Sequence, residues 1–200
     1  MATTNDKQPC AVAGLVLAAG VSRRFGADKR QAALTDGRSL LAASLSLPCA
    51  VLDEVLVVLR GDDDPAGLAL PAAARWLTCE QSAQGMGHSL AAGVRHLNEV
   101  SRADAVAVFL GDMPWLNEAS LRALLAETGP DRIVLPVFEG QRGHPVIFGR
   151  RFWPELMQLT GDNGARQVLM AHPEAHCSVV LDDPGLVKDV DTPEALQNAI

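Results

Sequence analysis

A segment between Gly20 and Lys29 combines glycines with cationic side chains directly after an apolar run. Gly20 and Gly26 allow backbone amides to approach an anion closely. Arg24 and Lys29 bring positive charge that suits phosphate oxygens. The spacing fits neither the Walker loop nor the dinucleotide-binding loop, which argues against a P-loop kinase and a dehydrogenase. The segment therefore predicts a different kind of triphosphate-binding loop, and a solvated basic turn is the alternative.

Carboxylates follow two other segments. Asp112 follows the apolar run 105–110 after a single glycine, where a carboxylate needs a partner. In a cleft that holds a triphosphate that partner is Mg²⁺, which prefers one or two carboxylates together with phosphate oxygens. Asp191 lies just before a Thr-Pro-Glu helix start, and alone it fits an ordinary N-cap neighbourhood. A turn or N-cap remains the alternative for Asp112 as well.

Three further polar segments lie after predicted strands or between helices. The segment 81–90 reads QSAQGMGHSL and predicts backbone that reads a base edge or a ribose, or else a simple turn. Two more segments, RGHP and GDNGAR, are candidates for holding a second, anionic substrate. The side chains in these two segments that we expect to contact that substrate are Arg142, His144, Asp162 and Arg166.

Short apolar runs alternate with amphipathic helical stretches, which predicts an α/β fold with a mostly parallel sheet. In such a sheet, ligands bind beyond the carboxyl ends of the strands. The predicted strands are 11–17, 54–60, 75–78, 105–110, 132–137, 145–148 and 178–181. The predicted helices are 39–47, 87–100, 117–127 and 151–159, a helix capped by Asp162 that runs through 166–170, and a C-terminal helix over 195–200 that follows a Thr192 cap.

Composition limits the class of protein. The chain has 200 residues, 48% of them apolar, which is enough for one core, so we expect a disordered tail over 1–9 and a single domain over 10–200. A net charge of -7 argues against nucleic-acid and membrane partners. We expect no signal peptide and a cytoplasmic location. The cysteines are scattered, without a disulfide or zinc pattern: Cys10, Cys49, Cys79 and Cys177.

Six motifs in order resemble the MobA-like nucleotidyltransferase family, most closely its molybdenum cofactor cytidylyltransferases. The motifs are LAAGVSRRFGADK, QGMGHSL, GDMPWL, RGHPVIF, GDNGAR and DVDTPEAL. The resemblance covers the chain from about Ala11 to its C-terminus. It implies a Rossmann-like three-layer sandwich of the nucleotide-diphospho-sugar transferase type. Phe25 departs from the family, which usually has Met there, and Arg30-Gln31-Ala32 replaces a more apolar run.

By that resemblance, Arg24, Lys29 and Asp112 are catalytic, and Asp112 and Asp191 bind magnesium. The implied nucleotide-binding residues are Leu17, Ala18, Ala19, Gly20, Arg24, Lys29, Gly85, Met86 and Ser89. The implied reaction joins CMP from CTP to the phosphate of molybdopterin and releases pyrophosphate. A molybdoenzyme or its chaperone is an expected partner.

The donor prediction depends on Ala19. The loop has Leu-Ala-Ala-Gly as in the cytidylyl members it resembles, where guanylyl members tend to have Gly. A methyl beside the base would crowd a two-ring purine, by an amount typically worth about 1 to 3 kcal/mol. Three alternatives stay open: another phosphorylated acceptor such as a sugar phosphate, GTP-dependent guanylylation, and a non-catalytic chaperone that binds the cofactor.

Overall fold

A computed structural model describes residues 10–20, 25–192 and 195–196. Its eight strands are β1 Val12–Leu17, β2 Glu54–Arg60, β3 Ala74–Cys79, β4 Ala105–Leu110, β5 Ile133–Phe138, β6 Gln141–Arg142, β7 Val146–Gly149 and β8 His176–Val180. Its helices are α1 Leu40–Val51, α2 Met86–Val100, α3 Glu118–Ala126, α4 Trp153–Leu156 and α5 Arg166–Ala171. Short 3₁₀ turns include Lys29–Gln31, Ser82–Gln84 and Pro184–Leu186.

One sheet contains all eight strands in the order β3-β2-β1-β4-β7-β5-β6, with β8 paired to β5. The pairs of β1 with β2, β1 with β4, β2 with β3, and β5 with β8 are parallel. Strand β7 runs antiparallel to both β4 and β5. The register pairs Leu17 with Leu110, so the carboxyl ends of β1 and β4 lie side by side. This is the edge where an open α/β sheet binds ligands.

Apolar side chains on both faces of the sheet build two cores. Leu15 and Leu17 of β1 belong to the core that includes Leu90 and Leu97 of α2. Val16, which points to the other face because strand side chains alternate, belongs to the core that includes α1 and α3 residues. A nearly continuous apolar strand such as β1 is typical of a sheet covered on both faces. The Rossmann-like three-layer α/β sandwich predicted from the sequence is confirmed.

Most predicted elements are present, and the differences are local. Strand β6 and the tight return into β7 were not predicted, because two residues carry no periodicity. The predicted helix over 151–159 is only a 3₁₀ turn followed by the short α4. Asp162 does not cap α5, whose N-cap is Ala165. Ala195 and Leu196 are helical, and the rest of the predicted C-terminal helix lies outside the described residues, as does the 1–9 tail.

Local caps fix the ends of helices near the carboxyl edge of the sheet. The Ser39 side chain accepts a hydrogen bond from the Ala42 amide and so caps α1. Asp28 caps the 3₁₀ turn that carries Lys29 by accepting from the Arg30 amide. In the part of the chain that the structure describes, no helix has both the length and the apolar character needed to span a membrane.

Candidate active site

A cavity of about 440 Å³ opens beyond the carboxyl ends of β1 and β4. Residues from four separate segments line it: the end of β1 with the following loop, the 3₁₀ turn before α2, the start of α2, and the end of β4. Asp162, from the loop before α5, completes the lining. The lining residues are Leu17, Ala18, Ala19, Gly20, Lys29, Arg30, Ser82, Ala83, Gly85, Met86, Ser89, Leu110, Gly111, Asp112 and Asp162.

Lys29 lies among carboxylates at one side of this cavity. Its Nζ donates to Asp112 Oδ2 at 2.6 Å, to the Val190 carbonyl at 3.0 Å and to Asp191 Oδ1 at 3.4 Å. Burial acts to lower the pKa of Lys29, but the bonds to Asp112 and Asp191 outweigh it and the pKa is raised. Lys29 is therefore a fixed positive charge at neutral pH.

Asp189 joins Asp112 and Asp191 in a group of three carboxylates. One oxygen of each lies within 4.8 Å of the others, a spacing at which one cation can contact all three. Burial, followed by the charges of Asp191 and Asp112, raises the pKa of Asp189. We call Lys29 and these three aspartates the charged cluster. The Lys29 ammonium already lies where positive charge is favoured, so the oxygen donors fit a divalent cation such as Mg²⁺.

Backbone packs on backbone at another side of the cavity. The Gly87 amide donates to the Gly161 carbonyl at 2.8 Å. Gly85 has a φ of +128°, and a Cβ there would overlap the Gly161 carbonyl group. A Cβ at Gly87 would lie 2.7 Å from the Thr160 oxygen. We call this packing of Gly85 and Gly87 on Thr160 and Gly161 the glycine contact, and it requires residues without side chains.

The residues predicted to bind nucleotide are brought together, apart from one that cannot be placed. Apart from Arg24, every one of them lines the cavity. Arg24 lies outside the described residues. Ser89 is buried in the first turns of α2, and Met86 is exposed beside it. The strand-end rule accounts for this convergence, because the segments after β1, β3 and β4 meet at one edge of the sheet.

The four residues predicted to bind an acceptor do not form one group. Asp162 lines the cavity next to Gly85, on the side where nucleotide residues were predicted. Arg142 and Arg166 are exposed and do not line the cavity, so their side chains stand apart from it. His144 lies close to the charged cluster.

The His144 side chain is partly buried and lies close enough to Asp112 and Asp189 to feel their charges. Its amide donates to the Leu186 carbonyl at 2.8 Å, and its Nδ1 lies 3.4 Å from the Val108 carbonyl. Burial lowers the pKa of His144, opposed by the Val108 carbonyl and by the charges of Asp112 and Asp189. Its contact with the Val108 carbonyl ties the His144 segment to β4, the strand that precedes Asp112.

Sequence reasoning missed a buried ion network beside the loop. Arg30 is 4% exposed, and its guanidinium contacts both Asp28 and Asp63. Arg60 contacts Asp28 at 3.4 Å. We call these four residues the arginine clamp. The available signal was Arg30, a charged residue in a run that is more apolar in the family the chain resembles. The sequence did not show that Asp63 is its partner, because the two residues are 33 positions apart.

Asp189 was also missed, together with Ser82, Ala83, Leu110 and Gly111 of the cavity lining. The alternation in Asp189-Val190-Asp191 was a usable signal, because extended backbone projects alternate side chains to one side. Val190, between them, is buried, and its amide donates to the Asp112 carbonyl at 3.1 Å. That bond ties the C-terminal segment to the second residue after β4.

Comparison with known proteins shows which sequences this chain resembles. Residues 14–176 match the model of the MobA-like NTP transferase domain. The purine catabolism protein PucB of Bacillus subtilis is 36% identical over 196 residues, covering 90% of this chain and 92% of PucB. The 2-C-methyl-D-erythritol 4-phosphate cytidylyltransferase of Deinococcus radiodurans is 31% identical over 188 residues, covering 88% of this chain and 75% of that enzyme.

The fold is also that of solved structures. Rv0371c from Mycobacterium tuberculosis superimposes with a TM-score of 0.82 at 26% identity, covering 94% of this chain and 96% of the other. The structure of Rv0371c in complex with manganese gives a TM-score of 0.77 at 24% identity, covering 94% and 97%. With the family model spanning most of the chain and a cavity suited to a nucleotide, the protein is a nucleotidyltransferase and belongs to the MobA-like NTP transferase family.

Proposed function

We propose that the protein transfers CMP from CTP to the phosphate of a molybdenum-bearing pterin and releases pyrophosphate. One observation carries the proposal: Lys29, from the loop after β1, and Asp112, from the end of β4, meet at 2.6 Å in one cavity. A cation for phosphate oxygens and a carboxylate for a metal therefore face the same space. That pairing suits transfer of a nucleotidyl group.

The chemistry needs positioning and charge more than proton transfer. An oxygen of the acceptor phosphate attacks the α-phosphorus of CTP in line, a new P–O bond forms, and the bond to the β-phosphate oxygen breaks. The acceptor phosphate is ionised near neutral pH, so no general base is required. Lys29 and Arg24 stabilise the charge that moves onto the leaving pyrophosphate, and the amides near Gly20 orient the phosphates.

Magnesium is the proposed cofactor. Asp112 and Asp191 would hold it, with Asp189 close enough to share in binding. When bound, it neutralises phosphate charge and fixes the reacting phosphates. Lys29 contacts both Asp112 and Asp191, so its ammonium would leave at least one of them for phosphate oxygens as the metal binds. The same side chain thus balances the carboxylates before binding and the phosphates after it.

Ala19 supports CTP as the donor. It lines the cavity, and its side chain belongs to the same core cluster as Leu17 and Leu90. A methyl held by core packing does not move aside. It would therefore leave less room for a two-ring base than for a one-ring base beside it. Polar groups near Gly85, Met86 and Ser89 would read the base edge, because a site built for one pattern leaves groups unpaired with the wrong base.

The acceptor side draws support from the remaining predicted residues and from the relatives. Of the four residues predicted to contact the acceptor, Asp162 lines the cavity, and His144 feels the charges of Asp112 and Asp189. Arg142 and Arg166 are exposed outside the cavity lining, so a part of the acceptor that extends beyond the cavity would be needed to reach them. PucB is named for purine catabolism, and the Deinococcus relative is named for a phosphorylated sugar alcohol. That second name favours one alternative, cytidylyl transfer to a small sugar-type phosphate. For the pterin, the product would pass in the cytoplasm to a molybdoenzyme or its chaperone.

A substrate matrix tests the proposal. Purified protein with Mg²⁺ is incubated with CTP, GTP, ATP or UTP and with either the molybdenum-bearing pterin or 2-C-methyl-D-erythritol 4-phosphate. Pyrophosphate release and the nucleotide-linked product are measured. We expect the fastest product formation from CTP and the pterin. Conversion of the sugar phosphate alone would contradict the acceptor, and no reaction with any triphosphate would contradict catalysis.

A single variant tests the donor argument. Ala19→Gly removes the methyl, so we expect the ratio of kcat/KM for CTP over GTP to fall by about tenfold, in line with a steric difference of 1 to 3 kcal/mol. Ala33→Gly, away from the cavity, is the matched control. Equal use of CTP and GTP by the unmodified protein would contradict the role of Ala19.

A further inference from the structure

The guanidinium of Arg30 is fully engaged inside the protein. Its Nε and Nη2 donate to the Asp28 carboxylate at 2.9 and 2.6 Å. Its Nη1 and Nη2 donate to the Asp63 carboxylate at 2.5 and 2.6 Å, and Nη1 also donates to the Ala18 carbonyl at 2.9 Å. All five N–H groups of the guanidinium thus have acceptors. A bidentate pair on each side leaves Arg30 a single orientation.

Arg60 holds the same loop at a second point. Its Nη2 donates to the Gly20 carbonyl at 2.7 Å, while Nη1 lies 3.4 Å from Asp28 Oδ2. Its own amide donates to Asp63 at 2.8 Å. The arginine clamp therefore joins the start of the loop, at Ala18 and Gly20, to its end at Asp28. Strand β2 supplies the fixed support, since Arg60 is its last residue.

The clamp also decides which way a peptide group faces. A trans peptide is planar, so its carbonyl and its N–H point in opposite directions. With the Ala18 carbonyl turned toward Arg30, the Ala19 amide is turned away from it. The amides of Ala19 and Gly20 donate to no acceptor among the residues that the structure describes. Backbone N–H groups left in this way next to a cavity are suited to an anion.

Asp28 extends the effect to the catalytic lysine. It caps the 3₁₀ turn Lys29–Gln31 by accepting from the Arg30 amide at 3.2 Å. The position of the Lys29 backbone therefore depends on the carboxylate that Arg30 and Arg60 hold. Every N–H group of the Arg30 guanidinium donates to an acceptor within the protein. Arg30 therefore orients other groups and has no N–H left for a phosphate.

We propose that the arginine clamp is a positioning device for the donor triphosphate: it fixes the two ends of the loop, Ala18 to Gly20 and Asp28 to Lys29, in the form that binds phosphates. The inference rests on the proposed triphosphate site. It goes beyond that proposal because the clamp acts on the backbone at the two ends of the loop: Arg30 and Arg60 bond to Ala18, Gly20 and Asp28, and Asp63 holds Arg30 in place. Loss of the clamp should therefore raise KM for the triphosphate more than it lowers kcat.

Asp63→Asn is the test variant, and Asp62→Asn is its matched control. Both remove one negative charge from neighbouring positions, but only Asp63 contacts Arg30. We expect Asp63→Asn to raise KM for CTP about tenfold, as expected for lost hydrogen bonds between charged groups, with kcat within about threefold. Asp62→Asn should leave both unchanged. Hydrogen exchange of the amides in 18–29 should be faster in Asp63→Asn alone.

Arg60→Lys provides a second test that keeps the charge. A lysine cannot bond Gly20 and Asp28 together, so KM should rise here too. If Asp63→Asn does not fold, this variant decides by the same measurement. An unchanged KM for CTP in a folded Asp63→Asn or Arg60→Lys protein would overturn the proposed role of the clamp. An equal rise of KM in Asp62→Asn would overturn it too. If the unmodified protein neither binds nor converts a triphosphate, the proposed function is wrong. If the unmodified protein is active and the variants have the same KM, only the clamp proposal is wrong.

Discussion

The charged cluster and the glycine contact border the same cavity but are held together differently. In the charged cluster, side chains from distant segments meet, and Lys29 bonds to Asp112 across 83 residues of sequence. In the glycine contact, two backbones touch directly, and Gly87 bonds to Gly161 at 2.8 Å. The cluster depends on opposite charges, whereas the contact depends on the absence of side chains.

Because of this difference, substitutions in the charged cluster and in the glycine contact should have different effects. Partly exposed charges at Lys29 and Asp112 can be replaced with little cost to packing, because their neighbours can be solvated. At Gly85 an added carbon has no room, so a substitution there alters the position of the loop itself. Variants of the cluster should therefore change turnover far more than stability, and variants of the contact should change both.

The largest expected effect is at Asp112. Asp112→Asn keeps the size of the side chain but removes a charge from the proposed metal site, so turnover should fall by at least about 100-fold. Thermal unfolding should stay near that of the unmodified protein. Mg²⁺-dependent turnover is measured beside Asp182→Asn, an exposed control, and near-normal activity in Asp112→Asn would remove this residue from the metal site.

Lys29→Ala should have the next largest effect. A lost charge-assisted contact with phosphate is worth about 1.5 to 3 kcal/mol, so affinity for the triphosphate should fall by roughly 10- to 100-fold. The three carboxylates would also lose their protein cation, so Mg²⁺ alone should raise the melting temperature of the variant more than that of the unmodified protein. Calorimetric titration and melting curves provide both measurements. A smaller magnesium effect in the variant would mean that Lys29 does not compete for this site.

Gly85→Ala tests the other region. Its φ of +128° imposes strain of about 1 to 3 kcal/mol on a residue with a side chain, and overlap with Gly161 adds to it. We expect a lower free energy of unfolding together with weaker nucleotide binding. Gly140→Ala, with a φ of +79° and open space around it, separates strain from overlap. Equal losses of stability in the two variants would show that the contact itself contributes nothing.

The smallest expected effect is on the pH dependence of stability, to which Asp28 and Asp63 of the arginine clamp contribute. The hydrogen bond from Arg30 lowers the pKa of Asp28. Burial would raise the pKa of Asp63, but bonds from Arg30 and the Arg60 amide outweigh it, so that pKa is also lowered. Because folding depresses both pKa values below the ordinary aspartate value of 3.8, their stabilisation is fully present above that pH and is lost as pH falls below it.

Urea unfolding measured from about pH 6 down to about pH 3 tests this point, since unfolding free energy follows the protons bound. Asp63→Asn should flatten the loss of stability in acid relative to the unmodified protein. Gly87→Ala should lower stability by a similar amount at every pH, because the atoms nearest to its added Cβ are backbone atoms of Thr160 and Gly161, which do not titrate. An unchanged acid slope in Asp63→Asn would mean that the clamp does not depress this pKa.

Much of the site could be predicted because its residues follow strands. Asp112 and the loop after β1 come directly after apolar runs, and parallel strands bring such ends to one edge. Arg142 and Arg166 were harder to place, because motif order does not state which way an exposed side chain on β6 or α5 faces. Asp162 was assigned to the acceptor, whereas the structure places it beside Gly85 through the return of the loop before α5.

The sequence by itself determined the α/β class, most strand positions and the convergence of Lys29 with Asp112, since apolar periodicity and strand ends are local signals. Only the tertiary structure decided that Asp189 joins the charged cluster, that the Gly87 amide donates to the Gly161 carbonyl, and that Asp63 pairs with Arg30. The Gly87–Gly161 and Arg30–Asp63 contacts join segments whose separation in sequence carries no pattern, and the alternation of Asp189 and Asp191 does not by itself place them beside Asp112. Their partners are chosen by how the sheet and its loops pack, because burial makes an unpaired charge or an extra carbon costly only after the chain has folded.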